Sequence, residues 1–368
     1  MSKNGNKKKT VLIIVSKRLD FGGGERVASA MAEELILTSD FYPILCTLKD
    51  VDPHQVESRR FPVMALNNKK ELVLSNFIKL FWIILKYRIK VVHAHGHHAA
   101  FYAFLPAFLL RVKKRIWHFH AVPGENLKKF HLFFKLLFKL STDIVACSKA
   151  VAQALLEEFN APASKLRVIY NGLANLSAPP VGKPQHNKYN FQPCLGMVAR
   201  IDGQKGHDDM LAALRLLREK HPKIGVVFRG DGEYAGILKE KIKAQGLTAA
   251  VCFAEKVEPD QLGPLYTSFD IFVLPSLMEA GPISILEAMY FSVPVVATAV
   301  GGVEEMVDNQ VDGLLVPPRQ PKMLAEAITK LINDQNLYKQ IQSNALEKVK
   351  RFTMKNTVSE LKQIYAGA

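Results

Sequence analysis

IFVLPSLMEAGPISILEAMYFSVPVVAT, residues Ile271–Thr298, reads as one complete strand–loop–helix–strand unit. The short apolar runs IFVLP (Ile271–Pro275) and PVVAT (Pro294–Thr298) have strand length and are bounded by turn residues. Between them a loop over Met278–Pro282 leads into a helix from about Ile283. Strands joined by a helical crossover lie parallel, and a parallel sheet is covered on both faces, which explains why both runs are so apolar. Two acids stand eight positions apart in this unit. Glu279 falls on the loop and Glu287 one turn into the helix.

The same alternation extends in both directions. CLGMVAR (Cys194–Arg200), GVVFRG (Gly225–Gly230) and VCFA (Val251–Ala254) read as strands of the second half. In the first half TVLIIVS (Thr10–Ser16), YPILCTL (Tyr42–Leu48), VVHA (Val91–Ala94), RIWHFH (Arg115–His120), DIVAC (Asp143–Cys147) and LRVIY (Leu166–Tyr170) do so, with helical patterns such as Glu25–Ser39 between most of them. Ala174–Pro193 carries four prolines without sustained periodicity and reads as a linker. With 368 residues, two α/β domains are expected, each a doubly wound parallel sheet. Their expected bounds are 1–178 and 179–350, with a C-terminal helix over 351–368 reaching back to the first domain. Ligands of such folds bind at the carboxyl ends of the strands, so a cleft between the two domains is the expected site.

Composition narrows the partners. A net charge of +15 points to an anionic partner: a phosphate-bearing substrate, an acidic membrane surface or nucleic acid. Nucleic acid is disfavoured, because the aromatic residues sit on apolar faces and no recognised nucleic-acid motif occurs. Four cysteines, scattered singly in or beside apolar runs, suit reduced buried thiols of a cytoplasmic protein. Met1–Lys9 reads as a polar leader and not a signal peptide, and no apolar run is long enough to span a bilayer.

Several residues point to phosphate and hydroxyl chemistry. Gly281, Pro282, Ile283 and Ser284 surround a helix N-terminus, where backbone N–H groups attract phosphate or sugar oxygens. Glu287 can accept hydrogen bonds from a ribose diol and Glu279 from hydroxyls of another ring; the plain alternative is a solvated loop acid and a helix-stabilising acid. Arg200 and Lys205 flank a loop after a strand and offer two positive charges to an anionic ligand. Gly230 permits a tight turn, and Gly23 and Gly24 open a helix where backbone can approach a ligand. The contiguous Gly22-Gly23-Gly24 does not match the spaced dinucleotide-binding pattern. Asp50-Val51-Asp52 reads as a polar loop and not a metal-binding pair. His93, His95, His97, His98, His118 and His120 are dense enough to raise zinc, but no Cys or carboxylate lies in their segments, so no metal is expected.

Glu279 through Glu287, continuing as Ala288-Met289 and Pro294–Thr298, resembles the E-x7-E region of retaining glycosyltransferases of family 4. Further resemblances follow in order: Gly22–Glu25, His95, His120, Cys147-Ser148-Lys149, Asn171-Gly172, Ala199-Arg200 with Lys205-Gly206, Gly230–Glu233, Gly301-Gly302, and Asn309 with Asp312-Gly313-Leu314. The resemblance implies the GT-B fold, two Rossmann-like domains facing each other across a cleft. It implies a nucleoside-diphosphate sugar as donor, uridine ahead of guanosine, and no separate cofactor. It makes His120 the active-site histidine, although His118 shares its strand face, and places Arg200 and Lys205 on the diphosphate. It also implies front-face attack by an acceptor hydroxyl with retention of configuration. A nucleotide-sugar epimerase on the same fold and a non-catalytic membrane-docking module are the rival functions.

Two segments combine lysine with apolar residues. In Asn126–Leu140, Lys128, His131, Lys135 and Lys139 share a helical face; in Lys69–Lys90, Lys79, Lys86 and Lys90 group against Phe77, Phe81, Trp82 and Ile84. Such helices either lie in a membrane interface or pack on the core with a solvated basic face. The first option makes a glycan or lipid-linked acceptor of lipopolysaccharide or cell-surface polysaccharide synthesis the leading expectation, with the protein peripheral on the inner face of the cytoplasmic membrane.

Overall fold

A computed structural model describes residues 8–16, 22–38, 40–51, 59–66, 74–174, 189–255 and 262–368. The chain divides into two compact units, 1–174 with 353–368, and 175–352. Asp52, Lys69, the side chain of Lys128, most of the leader and most of the linker lie outside the described residues.

Among the described residues unit 1 holds seven strands: β1 (Lys9–Val15), β2 (Phe41–Thr47), β3 (Val63–Ala65), β4 (Val91–His95), β5 (Lys114–Phe119), β6 (Asp143–Ala146) and β7 (Leu166–Val168). They form one parallel sheet in the order β3-β2-β1-β4-β5-β6-β7. Val11–Val15 are fully buried, as a central strand covered on both faces must be. Its helices are α1 (Gly23–Thr38), α2 (Ser75–Lys86), α3 (His97–Leu109), α4 (His131–Leu140), α5 (Lys149–Phe159) and, at the other end of the chain, a terminal helix Met354–Tyr365. Ser148 caps α5 by accepting from Val151 N–H, and Asn160 closes it in the left-handed conformation.

Among the described residues unit 2 holds six parallel strands: β8 (Cys194–Val198), β9 (Gly225–Arg229), β10 (Val251–Ala254), β11 (Ile271–Leu274), β12 (Val295–Thr298) and β13 (Leu314–Val316), in the order β10-β9-β8-β11-β12-β13. Its described helices are α6 (His207–Lys220), α7 (Ala235–Ala244), α8 (Leu262–Thr267), α9 (Ile283–Tyr290), α10 (Val303–Met306), α11 (Pro321–Asn333) and α12 (Gln335–Val349); the terminal helix of unit 1 is then α13. The expected α/β class with doubly wound parallel sheets is therefore what the chain adopts. Strands β3 and β13, three residues each, lie outside the apolar runs read as strands.

Helix α13 packs on α1 within unit 1 and buries Tyr365 completely. The Tyr365 ring meets Phe41 edge-on at 5.2 Å, and its hydroxyl lies 2.6 Å from His93 Nδ1. Where this segment enters, a side chain at Gly172 would lie 2.3 Å from the Thr353 carbonyl carbon, so only glycine admits the approach.

The expected helix over Asn126–Leu140 is shorter than proposed. A 3-10 turn occupies Glu125–Phe130 and the α-helix starts at His131.

Candidate functional site

In each sheet the strand order reverses direction at one point, between β1 and β4 in unit 1 and between β8 and β11 in unit 2. Helices leaving neighbouring strands there turn to opposite faces, and the diverging loops open a crevice at the strands' carboxyl ends. In unit 2 the loops after β8 and β11 carry Lys205 and Glu279. Lys205 Nζ donates to Glu279 Oε1 at 2.7 Å, and Ser276 Oγ donates to the same oxygen at 2.8 Å. Leu277 N–H donates to Gln204 C=O at 2.7 Å, which ties the two loops by backbone as well. Both charged groups are largely buried, with side-chain exposures of 16% and 8%.

Close backbone contact explains the glycines here. Gly206 has φ +73° and a Cβ there would lie 1.8 Å from Pro275 O. A Cβ on Gly230 would lie 1.8 Å from Ala199 O, and one on Gly302 1.9 Å from Ala280 O. Loops after β8, β9, β11 and β12 thus interlock at one end of the sheet. Gly302 N–H donates to Glu279 C=O, and Ile201 N–H to Asp231 C=O.

Arg200 stands in the same loop system but is 53% exposed and pairs with Asp202 Oδ2 at 3.0 Å. It does not join the Lys205–Glu279 pair. Helix α9 starts at Ile283 with Pro282 in an extended conformation before it and Gly281 partly exposed. Ser284 is also partly exposed, whereas Glu287 is 1% exposed and accepts from the Tyr266 hydroxyl at 2.6 Å. Glu279 is therefore not the solvated loop acid of the plain alternative, while Glu287 is a buried helix acid held by Tyr266. Ser276 and Tyr266 were not foreseen. Ser276 stands three residues before Glu279 at the strand end, a usable signal, whereas nothing local marks Tyr266.

In unit 1 the neighbours of the switch point are histidines. His120 follows β5 and packs under α1, so that a Cβ on Gly24 would lie 3.1 Å from its Cδ2; Gly23 is open. Asn171 Oδ1 accepts from His120 Nδ1 at 3.0 Å, which leaves Nε2 to accept from His95 Nδ1 at 2.7 Å. The Tyr365 hydroxyl is hydrogen-bonded to His93 Nδ1 at 2.6 Å, and His93 Nε2 to His118 Nδ1 at 3.2 Å. Nitrogens of His93, His95 and His118 lie within 4.8 Å of one another. The rings of His93 lie 14° from His118 and 22° from His95, in stacked geometry. Nitrogen-to-nitrogen hydrogen bonds and ring contacts join His93, His95, His118 and His120 into one cluster.

Burial pushes His120 down to about 4, against the opposing pull of its bond to Asn171. His93, His95 and His118 lie well below the ordinary imidazole value, first from burial and then from one another's charge. Unfolded imidazoles titrate near 6.5, so below that pH the unfolded chain binds more protons than the folded one. The contribution of these histidines is complete above about pH 6.5 and drains away as pH falls toward their folded values. Each group costs up to about 1.4 kcal/mol per pH unit in that window. We expect a melting temperature that drops steeply on acidification from about pH 6.5; a flat profile down to about pH 5 would contradict the buried neutral stack.

Known proteins resemble the chain along nearly its whole length. Residues 21–174 match the family described as Glycosyltransferase Family 4, and residues 182–348 match Glycosyl transferases group 1. An uncharacterized glycosyltransferase of Methanocaldococcus jannaschii, MJ1607, is 29% identical over 252 residues, which is 66% of this chain and 64% of that protein. The match thus spans slightly under two thirds of that relative. A glycosyltransferase from Rickettsia africae superposes with TM-score 0.81 at 24% identity, covering 97% of this chain and 98% of its own. Anabaena Alr3699/HepE in complex with UDP-glucose superposes with TM-score 0.81 at 20% identity, covering 97% and 100%. These likenesses show the fold to be GT-B.

Proposed function

Since the chain belongs to glycosyltransferase family 4, we propose that it transfers a sugar from a uridine-diphosphate sugar to an acceptor hydroxyl with retention of configuration. The observation that carries this reading is the Lys205–Glu279 pair, held by glycine-packed loops at the switch point of the second sheet. An ammonium has three donors, so Lys205 can keep Glu279 and still reach a phosphate oxygen. Arg200, more exposed, supplies the second charge to the diphosphate. Together they take the part that a divalent ion takes elsewhere, which makes the reaction metal-independent. N–H groups at Gly281, Ile283 and Ser284, set by Pro282, receive phosphate or sugar oxygens; Gly230 lets the nucleotide approach. Glu287 accepts from the ribose and Glu279 from the donor sugar. His120, Gly23 and Gly24 serve the acceptor side.

In the transfer step the anomeric carbon–phosphate oxygen bond breaks as the acceptor oxygen bonds to the same face. The hydroxyl proton passes to the departing phosphate oxygen. Arg200 and Lys205 hold the charge that develops there, where a fixed donor is worth most. The acceptor is a glycan or lipid-linked sugar of lipopolysaccharide or cell-surface polysaccharide synthesis, met at the inner face of the cytoplasmic membrane. The relative bound to UDP-glucose supports the donor class.

The test is a thermal-shift panel of nucleoside diphosphates and their sugars. At about one hundred times its dissociation constant the true donor stabilises by about 2.7 kcal/mol. Uridine compounds should shift the melt more than guanosine compounds, and transfer should survive chelator and yield the donor's anomer. No shift with any nucleotide would end this reading, and acceptor-free sugar interconversion would make the protein an epimerase.

A further inference from the structure

Helices α2, α3 and α4 pack side by side in unit 1. Ring contacts stitch them together, Phe77 to Phe101 at 5.2 Å and Phe101 to Phe133 at 5.3 Å. Their inner sides bury Leu80, Ile84, Phe104, Phe134 and Phe138. An ordinary surface helix is polar on its other side. Here the outer side is apolar too. Helix α2 exposes Ile78 and Trp82, each at 61%, α3 exposes Phe108 and Leu109, and α4 exposes Leu132 at 71% and Leu136 at 54%. Of the eighteen exposed large apolar side chains among the described residues, ten lie on these helices or directly beside them. An accumulation of this kind marks an interaction surface.

The charge gathers in the same place. Residues 74–142 contain twelve Lys and Arg and a single acid, Glu125, a net of +11 out of the chain's +15 in under a fifth of its length. None of the three helices contains an acidic residue. Lys135 and Lys139 are exposed and alternate along α4 with Leu132 and Leu136, and Lys86 is exposed beside Leu85. The cores of protein–protein interfaces are depleted in lysine, so this interleaving does not suit a protein partner. Phosphate-only docking on nucleic acid has no use for exposed leucines. A bilayer with anionic headgroups uses both: apolar side chains enter the headgroup–acyl boundary while lysines meet lipid phosphates.

We propose that the outer face of α2, α3 and α4 docks on an anionic lipid bilayer. Trp82, Leu132 and Leu136 enter the interface, and Lys86, Lys135 and Lys139 lie on the headgroup phosphates. The docking is peripheral, since among the described residues no helix is long and apolar enough to cross a membrane. In biological sense it rests on the lipid-proximal acceptor proposed above, but its test uses neither donor nor acceptor, so each can fail alone.

The experiment is flotation of the full chain with two kinds of vesicle: phosphatidylcholine alone, and phosphatidylcholine with phosphatidylglycerol in equal parts. The chain should float with the anionic vesicles and barely with the neutral ones, less so in high salt. Each lysine near the surface contributes about fivefold in partition, so Lys135→Glu with Lys139→Glu should weaken it at least about 25-fold. Trp82→Ser with Leu132→Ser and Leu136→Ser should weaken it at least about tenfold. That triple variant should keep its melting temperature and its nucleotide thermal shift, because the three side chains are exposed. The proposal is overturned if the wild-type chain ignores both vesicles or if the triple variant floats like wild type. It is equally overturned if the triple variant instead abolishes a dimer of a chain that binds no vesicle.

Discussion

Lys205→Ala is expected to lower transfer from a uridine-diphosphate sugar by about two to three orders of magnitude in kcat/KM, as loss of one fixed donor at a developing oxyanion does elsewhere. The substitution does two things at once. It takes away the charge proposed to meet the departing diphosphate, and it strands Glu279, which is 8% exposed and bonded to Lys205 at 2.7 Å. Removing one partner of a largely buried pair costs about 3 kcal/mol, because the other charge stays out of water without its counter-charge. The two effects separate in a cycle with Glu279→Gln. The double variant carries no stranded charge, so its melting temperature should recover toward wild type while its activity stays low. Initial rates and thermal melts on the four proteins check this. Wild-type rates in a well-folded Lys205→Ala would remove the residue from the donor site. A parallel loss of activity is expected for Glu287→Ala, whose carboxylate is held by Tyr266 and is proposed to receive the ribose.

Gly206→Ala is the largest expected loss of stability. Its backbone is left-handed at φ +73°, which costs a side-chain-bearing residue roughly 1–2 kcal/mol. The new Cβ would also stand 1.8 Å from Pro275 O, a backbone atom at the end of β11 that cannot rotate away. Relief requires parting the loops after β8 and β11, and with them the Leu277 to Gln204 bond. A total of about 3 kcal/mol or more follows, which for a unit of this size lowers the melting temperature by about 6–12 °C. Gly23→Ala is the matched control, since nothing lies within 4 Å of its Cβ position and it begins a helix. Differential scanning calorimetry of both variants decides it. Equal melting temperatures would mean that the loops after β8 and β11 are not locked against each other. Lys205 is the neighbour of Gly206, so the same displacement should lower activity as well.

The local chemistry of the chain was enough to establish two parallel α/β sheets and the start of α9 at Ile283. Apolar runs of strand length between helical stretches leave few other architectures, and a proline after a loop marks a helix entry. It was also enough to single out Lys205 and Glu279, because each follows a strand at the end where such sheets bind ligands. What it could not supply was their pairing. The two residues are 74 positions apart, and only the adjacency of β8 and β11 brings them within 2.7 Å. Tyr266 and Glu287 meet because α8 and α9, which flank β11 in the chain, lie together once the sheet has formed. The histidines alternate visibly along β4 and β5, yet the register that sets His95 opposite His118 belongs to the sheet, and Tyr365 comes from the far end of the chain.

Periodicity marked α2 and α4 as amphipathic and stopped there. It reports that one side of a helix is apolar, not how much of that side its neighbours cover, and α3 shows no polar side at all. Elements are chosen by short-range propensity and pattern, and these lie in the sequence itself. Register, burial and the partners of buried charges depend on contacts between distant segments, and those exist only once the sheets have formed.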